Sequence, residues 1–162
     1  MRVFWTAMAL LAALLAQTAL GRVMPMQARV FDPFLLVVVY CGLTGGEVHG
    51  MLAGAAAGWV QDVHFGGRIL GLSGLSKLLV GFGVGVGSTR FHLGEPGARL
   101  LVLMVATIVD AVLFGQLAQV FDVQAYELSP LGLIVRAVVN GAVGMVIFET
   151  MDRQRRRWAP RA

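Results

Sequence analysis

Leu100–Ala118 reads LLVLMVATIVDAVLFGQLA, an apolar run interrupted by a single carboxylate, Asp110. At about 1.5 Å per residue, a helix of this length crosses the roughly 30 Å hydrocarbon layer of a bilayer. A charge inside such a run is expensive to bury, so it points to a partner group or a function. The rest of the chain repeats the pattern. Of its 162 residues, 57% are hydrophobic and 14% charged, and the mean hydropathy is +0.77. A soluble domain of this size carries more polar surface. The expected fold is all-α, a polytopic membrane protein.

Working outward from that run, six segments are expected to cross the membrane. They span about Val3 to Gly21, Pro33 to Thr44, Val48 to Val60, Leu70 to Thr89, Leu100 to Ala118 and Leu131 to Met151. The second is short for a full crossing and runs into Gly45 and Gly46. It reads as a tilted, broken or partly re-entrant helix whose exposed backbone must be shielded by protein. The first segment, preceded by Arg2, resembles a signal peptide with Ala19 or Gly21 near a cleavage point. The apolar text that follows favours a retained helix instead. Residues 1–151 therefore form a single transmembrane helical domain, followed by a basic tail over 152–162.

The terminal MDRQRRRWAPRA carries Arg153, Arg155, Arg156, Arg157 and Arg161, which marks a cytoplasmic end. Arg2, Arg90 and Arg99 agree with that side, while Arg22 and Arg29 on the first external loop do not. Both termini are expected in the cytoplasm. With Trp158 beside it, the arginine run fits an interfacial anchor on anionic lipid, or a contact to a cytoplasmic protein, better than a nucleic-acid site.

Gly50, Gly54, Gly58 and Asp62 recur every four residues and so share one helical face. A glycine face lets a neighbouring backbone approach closely, whether from this chain or from a partner protein. Gly81 and Gly85 continue the same interval after Lys77. In this topology Asp62, Lys77, Asp110 and Arg136 all fall in the outer half of the bundle, with Asn140 one turn beyond Arg136. The expected pairing joins Asp110 to Lys77 or Arg136, and Asp62 to the other cation. Gln17, Gln61, Gln116 and Gln119 are further candidates for this polar network.

Catalytic signatures do not emerge. Gly83, Gly85 and Gly87 alternate inside an apolar run and make no phosphate-binding loop. His49, His64 and His92 lack metal-ligand spacing, and Cys41 is the chain's one cysteine. Ser73 and Ser76 lie near Lys77 on different faces without a third group, which disfavours a Ser–Lys hydrolase. No enzyme activity, cofactor or metal is expected.

Gly54–Phe82 reads GAAAGWVQDVHFGGRILGLSGLSKLLVGF. Small-residue spacing on Gly54 and Gly58 precedes Asp62, followed by Gly66, the pair Gly71–Leu72, and an apolar helix through Leu78, Leu79, Gly81 and Phe82. This resembles the central signature of the MreD family of rod shape-determining membrane proteins. Chain length, hydrophobic pattern and the basic C-terminus extend the resemblance over nearly the whole chain; Lys77 departs from it, where an apolar or small residue is usual. The resemblance implies a noncatalytic scaffold of the bacterial cell-wall elongation machinery in the inner membrane. The implied partners are the bitopic protein MreC, MreB filaments, and the RodA glycosyltransferase with its penicillin-binding transpeptidase. It also implies a six-helix fold like the substrate-binding components of energy-coupling-factor transporters. The alternative function is a small-molecule-binding subunit of a membrane transporter.

Overall fold

The computed structural model describes the backbone of residues 2–24, 30–65, 69–91, 95–122 and 129–158 and, within these, the side chains of residues 3–153. The expectations for Arg29, Gly66, His92 and Arg161, and for the side chains of Arg2, Arg155, Arg156, Arg157 and Trp158, fall outside the described residues. Five α-helices make up the described fold: α1 (Arg2–Val23), α2 (Pro33–Phe65), α3 (Leu72–Arg90), α4 (Pro96–Val120) and α5 (Pro130–Trp158). All five contain stretches long and apolar enough to cross a membrane, with mean hydropathy from 1.2 in α3 to 2.2 in α4.

α2 contains two of the expected segments, and it is not a straight rod. Gly46 leaves helical geometry at φ 79° and ψ −170°, a left-handed φ that only glycine adopts without steric cost. A Cβ placed on Gly50 would lie 2.8 Å from the Cα of Gly42, whereas residues eight apart in an unbroken helix are about 12 Å apart. The chain therefore folds back at Gly46 into two arms, residues 33–45 and 47–65.

Neighbouring helices alternate in direction from there. Along the second arm, Gly58 faces Ser73 and Gly74, Gly54 faces Lys77, Gly50 faces Gly81, and Glu47 faces Gly85, so α3 runs antiparallel to it. The first arm runs parallel to α5, with Asp32 beside Asn140, Leu36 beside Gly144 and Tyr40 beside Phe148. α4 returns antiparallel to α5: Asp110 lies beside Arg136, Leu103 packs on Gly144, and Arg99 pairs with Asp152. α1 is fixed to the second arm by Thr6–His49 at 3.2 Å and Thr18–His64 at 3.3 Å. One end of the bundle thus gathers the start of α1, the Gly46 turn, Arg90, Arg99 and Arg153. The opposite end carries Asp32, Asp62, Gly71 and Pro130.

The first arm sits at the centre, with Phe34, Leu35, Val38 and Val39 fully buried. Leu35, Leu36 and Val39 pack with Val80, Leu103, Ala106 and Phe148, so four elements share one core. Outward, Leu52, Trp59, Leu101 and Val146 are exposed, a distribution that suits lipid and would be unfavourable in water. α1 is peripheral: Leu10 and Ala13 reach Phe34, Val38 and Ala57, and most of the helix faces outward.

Candidate functional site: a buried four-charge cluster

Asp32 stands immediately before Pro33, the first residue of α2, and acts as the helix cap. Its Oδ1 accepts the Leu35 N–H at 3.1 Å, answering one of the amides that a helix start leaves free. Its other oxygen turns into the bundle. There Lys77 Nζ donates to Asp32 Oδ2 at 2.8 Å and to Asp110 Oδ2 at 3.1 Å. Arg136 Nη2 lies 3.3 Å from Asp32 Oδ2 and 4.0 Å from Asp110 Oδ2. Ser76 Oγ donates to Asp110 Oδ1 at 2.7 Å, and Asn140 Oδ1 accepts the Asp32 N–H at 3.0 Å. Asp32, Lys77, Asp110 and Asn140 are buried, and Arg136 is partly so.

Two carboxylates and two cations cancel formally, and they come from α2, α3, α4 and α5. A lone ion costs several kcal/mol to bury, and mutual attraction offsets this only when geometry is good and the remaining lone pairs find donors. Asp32 meets that condition: its carboxylate accepts from three donors, the Leu35 N–H, Lys77 and Arg136, and its own N–H is taken up by Asn140 Oδ1. The cluster can therefore tie four elements together at one depth. Arg136 Nε and Asn140 Nδ2 are buried without a hydrogen-bond partner.

The four polar residues expected to form one network, Lys77, Asp110, Arg136 and Asn140, do meet around this point. Asp62 does not join them, and its expected pairing with a cation is corrected. Its Oδ2 accepts the N–H groups of Gly71 at 2.8 Å and Ser73 at 3.1 Å, capping the start of α3. Those amides open α3 and lie within its reach, and a carboxylate is favoured at a helix N-terminus. Asp32 was the missing member. Its sequence signal was an Asp before a Pro at the head of an apolar run, which is a helix-cap pattern. Gln17 and Gln61 do not extend the cluster, since the side-chain oxygen of each is buried without a partner. Gln116 and Gln119 are exposed near the end of α4.

The glycine face is occupied from within the chain. A Cβ on Gly54 would run into the Lys77 carbonyl and come within 2.8 Å of Leu78 N, and one on Gly58 would strike Ser73 and Gly74. Gly50 and Gly81 oppose each other, and Gly85 meets the Gly46–Glu47 backbone. α3 fills the groove, leaving no room there for a partner's helix. Arg153 is exposed and forms a surface pair with Glu149 at 2.6 Å, one turn back. Cys41 is buried, 3.8 Å from Thr6 Oγ1. Among the described residues, no group of three His, Cys, Asp or Glu could hold a metal ion.

A family model described as rod shape-determining protein MreD matches residues 1–151. No curated protein and no solved structure matches the chain. The match covers every described helix except the last turns of α5, and with the apolar helices it makes this a multi-pass inner-membrane protein. The chain belongs to the MreD family and has a noncatalytic membrane role in cell-wall elongation and the maintenance of rod shape.

Proposed function

We propose that the chain is a rigid membrane scaffold that binds MreC and helps organise peptidoglycan synthesis with MreB and the RodA–transpeptidase pair. The observation that carries this reading is the self-neutralised cluster. Lys77, 3% exposed, spends its charge on Asp32 and Asp110, and Arg136 lies against the same two carboxylates. Charges answered within the fold suit a fixed frame for other proteins better than a receptor for a charged small molecule.

In this reading α2 supplies two crossings, giving six in all, in an arrangement like that of energy-coupling-factor substrate-binding components. Arg90, Arg99 and Arg153 share one end of the bundle, so the positive-inside preference puts that end, and both termini, in the cytoplasm. Gly50, Gly54, Gly58, Gly81 and Gly85 serve internal packing. The helix of MreC then docks on an outward apolar side. The tail, with Arg153, Arg155, Arg156, Arg157 and Trp158, meets inner-leaflet lipid or a cytoplasmic protein.

The test is quantitative mass spectrometry of proteins co-purified in mild detergent with a tagged chain at native expression. A near-stoichiometric bitopic MreC-like protein is the expected result. Energy-coupling transporter subunits or a tightly retained small molecule in its place would overturn the scaffold reading in favour of transport.

A further inference from the structure

At the end of the bundle opposite the charge cluster, the first arm of α2, the end of α3, the start of α4 and the end of α5 enclose a cleft of ≈ 330 Å³. That volume is within the usual range for small-ligand sites, about 300–1,000 Å³. Its inner wall is apolar and aromatic, formed by Tyr40, Leu43 and Phe148, and its rim is basic, with Arg90 and Arg99. We propose that this cleft binds a phosphate group, held by Arg90 and Arg99, and that its source is the head group of an anionic phospholipid.

Charge balance favours an anion. Arg99 is paired with Asp152, the only carboxylate among the described lining residues. Arg90 is exposed and has no ion pair among the described residues, so the described lining carries a surplus of one positive charge. Three hydroxyls in the lining are already engaged with backbone carbonyls. Ser88 donates to the carbonyls of Gly42 and Gly85, Thr89 to Val86, and Thr44 to Tyr40. The arginines are the charged recognising groups, and guanidinium suits phosphate oxygens well. The aromatic wall points to the lipid source. A free, fully hydrated phosphate gains nothing from Tyr40 and Phe148, whereas a glycerol backbone and the tops of acyl chains do. The cleft also lies where apolar helix surface gives way to arginines, the depth at which lipid phosphates reside.

Native mass spectrometry of the full chain tests this, using micelles with equal phosphatidylglycerol and phosphatidylcholine. The wild type is expected to retain phosphatidylglycerol selectively, and Arg90→Gln to lower that retention about fivefold, as for loss of one basic contact to an anionic lipid. Arg22→Gln, in the last turn of α1 at the opposite end of the bundle and outside the cleft, controls for the change in net charge and is expected to retain lipid like the wild type. Displacement of the lipid by millimolar inorganic phosphate, with the same Arg90 dependence, would keep the phosphate site and move its source to free phosphate. Equal retention by wild type and Arg90→Gln, equal losses in both variants, or no preference between the lipids would overturn the proposal.

Discussion

Lys77 and Asp32 stand 45 positions apart in the chain and 2.8 Å apart in the fold. Their contact fastens α3 to the cap of α2, and through the same ammonium Asp110 brings in α4. Lys77 is thus the hub of the four-charge cluster.

Replacing that hub should unbalance the cluster. Lys77→Met leaves two buried carboxylates against one guanidinium and is expected to destabilise by about 3–5 kcal/mol, the range for breaking a buried pair. Thermal unfolding in mild detergent would show it as a clear drop in melting temperature. Adding Asp110→Leu restores neutrality, leaving Arg136 and Asp32 3.3 Å apart, and should recover part of the loss. A double variant no more stable than Lys77→Met would show that charge balance is not what the cluster supplies.

The glycines of α3 and the second arm divide by what surrounds them. Gly54→Ala forces a methyl into the Lys77–Leu78 backbone, and the required separation of helices should cost about 1–3 kcal/mol. Gly83 has nothing within 4 Å of an added Cβ, so Gly83→Ala should be neutral or stabilising by up to about 1 kcal/mol through helix propensity. Equal melting temperatures for the two variants would sink the close-packing account.

Asp62→Ala removes the acceptor for Gly71 and Ser73. The expected loss is about 0.5–2 kcal/mol, typical of a helix cap, with most of it spared in Asp62→Asn. Faster hydrogen exchange confined to the first turn of α3 would identify the cause. Protection there as in the wild type would argue against capping.

The two-arm form of α2 makes a topological prediction. With Cys41, the chain's one cysteine, replaced by alanine, Glu47→Cys should react with membrane-impermeant maleimide only from the cytoplasmic side. Asp122→Cys should react only from the outside. If α2 crossed once as a single rod, residue 47 would sit at mid-membrane and label from neither side.

Much of this architecture was legible in the sequence because lipid-facing helices are hydrophobic along their whole length. The break after Thr44 was readable from Gly45 and Gly46, although periodicity could not say that the two arms fold against each other. The depth of Lys77, Asp110, Arg136 and Asn140 followed from counting residues along helices. The identity of their partner did not, because Asp32 lies just outside an apolar run and looks like loop. Asp62 had the depth to join them. What assigned it elsewhere was direction: its carboxylate faces the free amides that open α3, which spacing along the sequence does not reveal.

The order of the cluster along the chain bears on how the protein reaches the bilayer. Asp32, Lys77, Asp110 and Arg136 alternate in sign from the N-terminus, and they sit at the cap of α2 and in α3, α4 and α5, in the order of synthesis. As helices leave the ribosome one after another, the accumulated charge of the growing bundle swings between minus one and zero. Each cation arrives with the helix that follows an unanswered carboxylate. Within the cluster, a nascent intermediate never holds two uncompensated charges of the same sign, so the pattern that locks the finished bundle also eases its stepwise insertion.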